Sequence, residues 1–134
     1  TCALPIFFIK RGLVCDVGGF WKLPAIVGQA KAAELLFTGD PIDSAEAERI
    51  GLVSYTMPHA ELLPRAQAMA ASIAANPPLA LRYMKEGLRR SMHGDPNEIG
   101  AWAIEIIHRL FATEDHREGV RSFLEKRPAI FKGI

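Results

Sequence analysis

The sequence predicts a mostly α-helical chain with one or two short strands, and three observations support this fold class. From residue 59 onward, apolar side chains recur every three or four positions over long stretches, as on one face of an amphipathic helix. Apolar runs that suit a strand occur near 6–9 and 52–57. The composition, with 49% hydrophobic and 23% charged residues, is ordinary for a globular domain.

The first predicted elements are a strand at 6–9 and a polar, glycine-bearing turn at 10–18. A helical pattern then begins at Gly19 and stops at Gly28, where glycine interrupts it. A second helix is predicted over 30–37, because the glycine of the following Thr-Gly pair suits a left-handed C-cap.

Asp43 and Glu46 have capping-box spacing, in which Asp43 accepts from an early helix N–H and Glu46 reaches back. This predicts a short helix up to Gly51, followed by a small strand at 52–57. Four amphipathic helices are then predicted at about 59–75, 78–92, 96–112 and 114–126. The third of these carries an apolar stripe made of Ile99, Trp102, Ala103, Ile106 and Leu110.

These four helices have no sheet of their own to cover, so we expect their apolar faces to pack on another part of the protein or on a second subunit. The chain also opens at Thr1 and enters a buried-type strand within a few residues. Such a strand needs neighbours on both edges. We therefore expect the missing strands to lie upstream, in a longer protein.

Charge and composition exclude several classes of partner. The chain has 16 Lys and Arg against 15 Asp and Glu, so no overall field attracts nucleic acid, and an anionic ligand needs a local basic cluster. No apolar run reaches the roughly 18–20 residues of a membrane span. Cys2 and Cys15 lack metal or disulfide spacing, and the four histidines are scattered. We expect no metal site and a cytoplasmic protein.

Asp16 is the best candidate for acid–base chemistry from its position. It lies within the glycine-rich turn between the predicted strand and the next helix, where ligands often bind. A nearby helix N-terminus stabilises its anion, whereas an apolar pocket made by Phe7, Phe8 and Trp21 would raise its pKa. A purely structural role as a cap or turn former remains the alternative. Sequence motifs for phosphate-binding loops, dinucleotide binding and serine hydrolases are absent.

A basic cluster near the C-terminus surrounds two aromatic residues, Phe123 and Phe131. Its members are Arg117, Arg121, Lys126, Arg127 and Lys132. Cations beside aromatic rings suit a ligand with a flat base and phosphates. The alternative is a solvated helix face whose arginines, Arg117 and Arg121, pair with nearby glutamates, Glu114 and Glu118.

Several ordered stretches resemble a known family. They are 12–28 (GLVCDVGGFWKLPAIVG), 33–39 (AELLFTG), 45–47 (AEA), 51–53 (GLV), 111–120 (FATEDHREGV) and 123–127 (FLEKR). Together they resemble the second half of the crotonase superfamily, the enoyl-CoA hydratase/isomerase fold. The resemblance implies an α/β crotonase-like (ClpP/crotonase spiral) fold, represented here mainly by its helical C-terminal half. It also implies that residues 1–58 form the C-terminal end of the crotonase core. Residues 59–134 would then form a helical C-terminal region that makes the trimer contacts and touches CoA.

The resemblance implies an acyl-CoA enzyme in which two backbone N–H groups stabilise an enolate-like state. Both N–H groups and the first catalytic glutamate belong to the family's N-terminal half. The second glutamate falls on Phe8, which cannot transfer a proton, so two-glutamate hydration is disfavoured. Asp16 falls where dienoyl-CoA isomerases and a chlorobenzoyl-CoA dehalogenase of the superfamily place a functional aspartate. This favours isomerase-type proton transfer by a single carboxylate.

The same resemblance implies the contacts with substrate. Phe123 and Lys126 match positions that touch the adenine and phosphate end of CoA, and Phe7, Phe8 and Arg11 would line the acyl pocket. CoA would enter as part of the substrate, with no separate cofactor. A homo-oligomer, either a trimer or a dimer of trimers, is expected. The alternative is a non-catalytic fragment that binds CoA or only assembles.

Overall fold

The computed structural model describes residues 8–15 and 18–134. Seven α-helices follow one another in this part of the chain, after a short 3-10 helix at Ile9–Arg11. They are α1 (Lys22–Val27), α2 (Gln29–Thr38), α3 (Ser44–Arg49), α4 (His59–Ala74), α5 (Pro78–Ser91), α6 (Pro96–Phe111) and α7 (Glu114–Glu125). The chain divides into two compact units, Thr1–His59 and Ala60–Ile134.

Neither predicted strand is present among the described residues. In the 6–9 segment, Phe8 and Ile9 lie in a tight turn in which the Phe8 carbonyl accepts from the N–H groups of Arg11 and Leu13, both at 3.0 Å. Positions 6 and 7 lie outside the described residues. The 52–57 segment is irregular because the N–H groups of its first two residues donate to the Ala47 carbonyl, at 2.9 and 3.2 Å. Donors used in this way cannot enter a strand ladder.

The local signals for helix ends are largely confirmed. α2 ends at Gly39, which adopts the left-handed conformation with φ 60° and donates its N–H to the Leu35 carbonyl. α3 begins after Asp43, whose carboxylate accepts the Glu46 N–H at 2.8 Å. The second half of the predicted capping box is wrong. The Glu46 carboxylate binds Arg49 and Lys31 instead of reaching back, because these cations offer it charged partners.

The first unit has a small core where α1 and α2 pack together. Leu23, Ala32 and Leu35 are buried there. Half-buried aliphatic side chains surround these three, namely Val27, Leu36, Ile42, Ile50 and Leu52. This core holds α1 against α2.

In the second unit, α5 packs on α6 and α6 packs on α7. The predicted stripe of α6 is confirmed: Ile106 is buried, and the other four members are half-buried. α5 approaches α6 closely at Gly87, where a Cβ atom would lie 3.1 Å from the Trp102 ring. Glycine at this position therefore permits the contact between the two helices.

Many apolar side chains of the second unit remain exposed. No residue of α4 is buried, and the four large apolar side chains Leu62, Leu63, Met69 and Ile73 are each more than 40% exposed. Since helices in proteins owe most of their stability to tertiary packing of an apolar face, the exposed apolar face of α4 suits a partner surface. Within the described residues, no helix is both long and apolar enough to cross a membrane.

Candidate functional site

The turn that precedes α1 forms an apolar pocket of about 90 Å³. Its walls are Phe8, Ile9, Leu13, Val14, Cys15 and Phe20, together with Leu36 and Phe37 of α2. The backbone reverses at Gly12, which has φ 69° and donates its N–H to the Ile9 carbonyl at 3.1 Å. This reversal places aliphatic and aromatic side chains from both ends of the turn around one pocket.

The predicted acyl-pocket residues are placed as follows. Phe8 lines the pocket with 36% of its surface exposed. Arg11 ends the 3-10 helix and is exposed, and it is not one of the residues that line the pocket. Phe7 and the predicted acid–base residue Asp16 lie outside the described residues. Of the predicted pocket residues that the structure describes, Phe8 lines this pocket and Trp21 does not, and the roles of Phe7, Phe8, Arg11 and Asp16 stay predictions.

The predicted CoA-contact residues lie together at the C-terminal end of α7. The Lys126 N–H donates to the Phe123 carbonyl at 3.3 Å, and the Arg127 N–H donates to the Ser122 carbonyl at 3.1 Å. These two bonds make a Schellman C-cap with Lys126 in the left-handed position, at φ 53° and ψ 41°. Glycine is the usual residue there because a Cβ atom strains this conformation.

Phe123 projects from the end of this helix with 82% of its surface exposed. It lines a surface depression whose other walls include Phe131, Val120, Leu124 and Pro77. A large aromatic ring this exposed keeps most of its contact with water, and its face can stack on a flat partner. Phe123 and Lys126 thus present an aromatic face and a cation at one end of α7.

The C-terminal segment folds back along α7 and is held by two carboxylates. Asp115, which is buried, accepts the N–H groups of Lys132 and Gly133 at 2.7 and 2.8 Å. Glu118 binds the Arg127 guanidinium through two bonds of 2.6 and 2.9 Å, and it also accepts the Ile130 N–H at 3.0 Å. This arrangement fixes the backbone on both sides of 128–131.

Arg127 lowers the pKa of its partner Glu118. The Arg127 guanidinium, and after it the Ile130 N–H, lower the pKa of Glu118 from 4.5 to about 2. The hydrogen bonds that the Arg127 guanidinium donates to Glu118 and Glu125 raise the pKa of Arg127 in return. Arg127 is therefore committed to internal ion pairs.

The structure divides the predicted basic cluster instead of gathering it around Phe123. Arg117, Arg121 and Lys132 line a separate depression of about 310 Å³ on the side of α7 where Asp115 and Glu118 hold the returning chain. Among the described residues, neither arginine makes a side-chain hydrogen bond or ion pair. The alternative pairing of Glu118 with Arg121 is wrong as a contact, since Glu118 binds Arg127, although the charge of Arg121 also lowers the pKa of Glu118.

Two features of this unit were missed from sequence. The bond between Glu118 and Arg127 joins positions nine apart across a reversed chain, a spacing that no helical rule indicates. The second missed feature is a groove lined by cations of α5. Its sequence signal is the spacing of Arg82, Lys85 and Arg89, which places the three on one face of a helix. Within the described residues, no group of three or more His, Cys, Asp or Glu side chains could hold a metal ion.

Comparison with known proteins gives a consistent result. A family model described as enoyl-CoA hydratase/isomerase matches residues 4–133. A protein named "Probable enoyl-CoA hydratase" from Mycobacterium bovis is 40% identical over 123 residues, which cover 92% of this chain and 48% of that protein. The crotonyl-CoA hydratase of Syntrophomonas wolfei is 38% identical over 123 residues, covering 92% of this chain and 47% of that one.

The fold agrees with solved structures as well. The crystal structure of an enoyl-CoA hydratase from Bacillus anthracis superposes with a TM-score of 0.88 at 31% identity, covering 94% of this chain and 49% of that one. The chain thus spans about half the length of the relatives that it matches. The mostly helical architecture is that of the C-terminal portion of the crotonase fold.

Proposed function

The chain belongs to the enoyl-CoA hydratase/isomerase family, and on this premise we propose that it acts on an acyl-CoA thioester through an oxyanion-stabilised enolate. The observation that carries the proposal is the family match over residues 4–133, which includes both the turn at the apolar pocket and the end of α7. Relatives named as enoyl-CoA and crotonyl-CoA hydratases support the same substrate class.

Phe123 and Lys126 bind the adenine and phosphate end of CoA in this proposal. The exposed ring offers a face for stacking, and the Lys126 ammonium offers a charge for phosphate. Because the Schellman cap holds Lys126 by its backbone, the start of its side chain is fixed relative to Phe123. An aromatic ring and a cation at fixed separation suit a ligand in which base and phosphate are also joined.

The apolar pocket of the first unit receives the acyl chain. Its walls are aliphatic and aromatic, so they favour hydrocarbon over water. Phe8 is a wall of this pocket, and Phe7 and Arg11 are proposed to line the acyl-binding region beside it. A pocket of about 90 Å³ suits a short chain, since larger ligand pockets measure roughly 300–1,000 Å³.

Asp16 is proposed as the group that moves the proton. As a base it takes a proton from C2 of a 3-enoyl thioester, which leaves an enolate whose charge the oxyanion hole stabilises. As an acid it returns the same proton at C4, so that the double bond shifts from C3–C4 to C2–C3. Phe8, which stands where the family has its second glutamate, supports isomerisation over two-glutamate hydration. An aspartate nucleophile for dehalogenation lacks any further support in the sequence.

The test compares two substrates in the full-length gene product. With a 3-enoyl-CoA we expect conversion to the 2-enoyl-CoA, and with crotonyl-CoA we expect little hydration. Asp16→Ala should lower kcat by roughly 10²-fold or more, the range of a general acid–base contribution. Isomerisation that persists in Asp16→Ala would contradict the role of Asp16, and efficient crotonyl-CoA hydration would contradict the preferred reaction.

The second candidate is a non-catalytic protein that binds CoA or forms an assembly. The observation that favours it is the exposed apolar face of α4, which suits a protein partner. In that case the full-length protein binds CoA or self-associates without turning over either substrate. A homo-oligomer is expected under both candidates, so turnover distinguishes between them.

A further inference from the structure

A local excess of positive charge lies on α5, away from the residues proposed to contact CoA. A groove of about 680 Å³ is lined there by Arg82, Lys85, Arg89 and Arg90, with Glu86 as the only carboxylate in its lining. This excess of three positive charges exceeds the net charge of +1 for the whole chain. The aromatic side chains Tyr83 and Trp102 complete the walls.

Two of the four cations are held in fixed orientations. Glu86 accepts from Arg89 through two bonds of 2.9 and 2.7 Å and from Arg90 at 2.8 Å. The Arg90 guanidinium also lies over the Trp102 ring, 4.8 Å from its centroid. One carboxylate thus orients two guanidinium groups while neutralising only one of them.

The other two cations have no internal partner. Within the described part of the chain, the side chains of Arg82 and Lys85 make no hydrogen bond, ion pair or ring contact. Both are exposed, and Lys85 lies about one helical turn from Arg89 while Arg82 lies about two turns from it. They are therefore available to an incoming anion without breaking an existing bond.

The size of the groove favours a small ligand over a macromolecule. From Arg82 to Arg90 the helix rises by roughly 12 Å, at about 1.5 Å per residue. A volume of about 680 Å³ lies within the range of small-molecule pockets. Guanidinium groups match the oxygens of phosphate, and the edge-on pair of Tyr83 and Trp102, with centroids 6.5 Å apart, gives an apolar wall for a planar group.

We propose that the α5 groove binds the diphosphate of a nucleotide, with Arg82 and Lys85 as its free cations and the Arg89–Arg90 pair as its fixed ones. Two sources carry this chemistry, a free nucleoside diphosphate and the diphosphate of CoA. The site uses none of the residues proposed above for the CoA end or the acyl chain. Its test therefore does not depend on the proposed function.

Trp102 is a built-in reporter of this groove. These 134 residues hold two tryptophans, and Trp21 lies in the other unit, so in this chain Trp21→Phe leaves tryptophan fluorescence to Trp102. Titrations use ADP, CoA and, as a ligand without phosphate, adenosine. We expect a saturable change with ADP or CoA and none with adenosine, and the ligand that binds identifies the source.

The deciding variant is Arg82→Gln/Lys85→Gln in the Trp21→Phe chain. It should raise the apparent Kd by roughly tenfold or more, because two charge-assisted bonds are lost. The exchange Arg82→Lys/Lys85→Arg keeps both charges and should retain binding, and Lys126→Gly should leave binding in this groove unchanged. Circular dichroism checks that each variant is folded.

Three results would overturn the proposal. They are no saturable change with either ADP or CoA, equal affinity for adenosine, and an apparent Kd that the double variant leaves unchanged. A Kd that shifts in Lys126→Gly as much as in the double variant would also assign the signal to the end of α7 instead of the groove.

Discussion

Lys126 combines a strained backbone with an exposed side chain that we propose to contact CoA. It is the one non-glycine residue with positive φ among the described residues. Strained conformations are retained where the surrounding structure holds them, and they concentrate at functional sites. Here the Schellman bonds and the ion pairs of the next residue, Arg127, hold the backbone, while the side chain stays available for a ligand.

Lys126→Gly should therefore change stability and ligand affinity in opposite directions. Glycine removes the strain of the left-handed conformation, so we expect the free energy of unfolding to rise by up to about 1 kcal/mol. The loss of the ammonium should weaken CoA binding at the end of α7. Urea denaturation measures the first effect. CoA binding, measured in the Arg82→Gln/Lys85→Gln background, shows the second effect, because that background removes the two free cations of the α5 groove.

Lys126→Arg provides the matched control for this prediction. It keeps the charge and the strained backbone, so stability and CoA affinity should both stay near those of the unchanged chain. A Lys126→Gly chain with undiminished CoA affinity would show that Lys126 does not contact the phosphate end.

At the scale of elements, α7 and the C-terminal segment that folds back along it are joined by hydrogen bonds. The Thr113 hydroxyl caps the first turn by accepting the His116 N–H at 3.1 Å. The N–H groups of Glu114 and Asp115 donate to the Ile134 carbonyl, at 2.9 and 3.3 Å. Two of the N–H groups that lack a partner within the helix are thereby satisfied by the carbonyl of the last residue.

The pairing of Glu118 with Arg127 should make this unit sensitive to acid. The pKa of Glu118 is lowered in the folded chain, to about 2 from 4.5, so its stabilising effect is fully present above pH 4.5. It is lost as the pH falls from 4.5 towards 2, where the folded chain also takes up the proton. We expect Glu118→Gln, which cannot ionise, to be less stable than the unchanged chain at pH 6 and to approach it at pH 3.

Urea midpoints at the two pH values measure this difference. Glu61→Gln is the control, because the Glu61 carboxylate makes no hydrogen bond or ion pair within residues 8–15 and 18–134. It should keep the acid sensitivity of the unchanged chain. An equal loss of stability between pH 6 and pH 3 in Glu118→Gln and the unchanged chain would contradict the assigned role of Glu118.

At the scale of the whole molecule, many large apolar side chains are exposed among the described residues. Leu62, Met69 and Ile73 lie on one side of α4, since steps of seven and eleven residues return to nearly the same helical angle. An apolar stripe of this kind on a water-exposed helix favours burial against another surface. A second copy of the chain is the partner that the expected homo-oligomer supplies.

Met69→Glu/Ile73→Glu should therefore shift the protein towards monomer. Sedimentation velocity over a range of concentrations measures the association, and a trimer or a dimer of trimers is the expected species of the unchanged chain. The control Gln67→Glu/Ala71→Glu makes the same number of acidic substitutions on the opposite side of α4 and should leave association intact. A monomeric unchanged chain, or equal effects of the two double variants, would rule out this surface.

Sequence reasoning succeeded for the helices and failed for the strands. The bounds of α2 to α7 follow from apolar periodicity, from Gly39 as a C-cap and from Asp43 as an N-cap, all of which act within a few residues. A strand needs a partner elsewhere in the chain, and the apolar run at 52–57 has none among the described residues because its first N–H groups bond to Ala47. Periodicity cannot detect the absence of such a partner.

The sequence by itself determined the family, the helical architecture and the two candidate ends of a ligand site, because motif order and helix caps are local properties of the chain. Only the tertiary structure decided that Arg127 pairs with Glu118 and that Lys126 takes the left-handed position of a helix C-cap. It also decided that Arg89 and Arg90 both bind the Glu86 carboxylate, with Arg90 over the Trp102 ring. Which cations remain free for a ligand depends on where the chain returns and which helices meet. Those are long-range contacts whose free energy no short stretch of sequence contains.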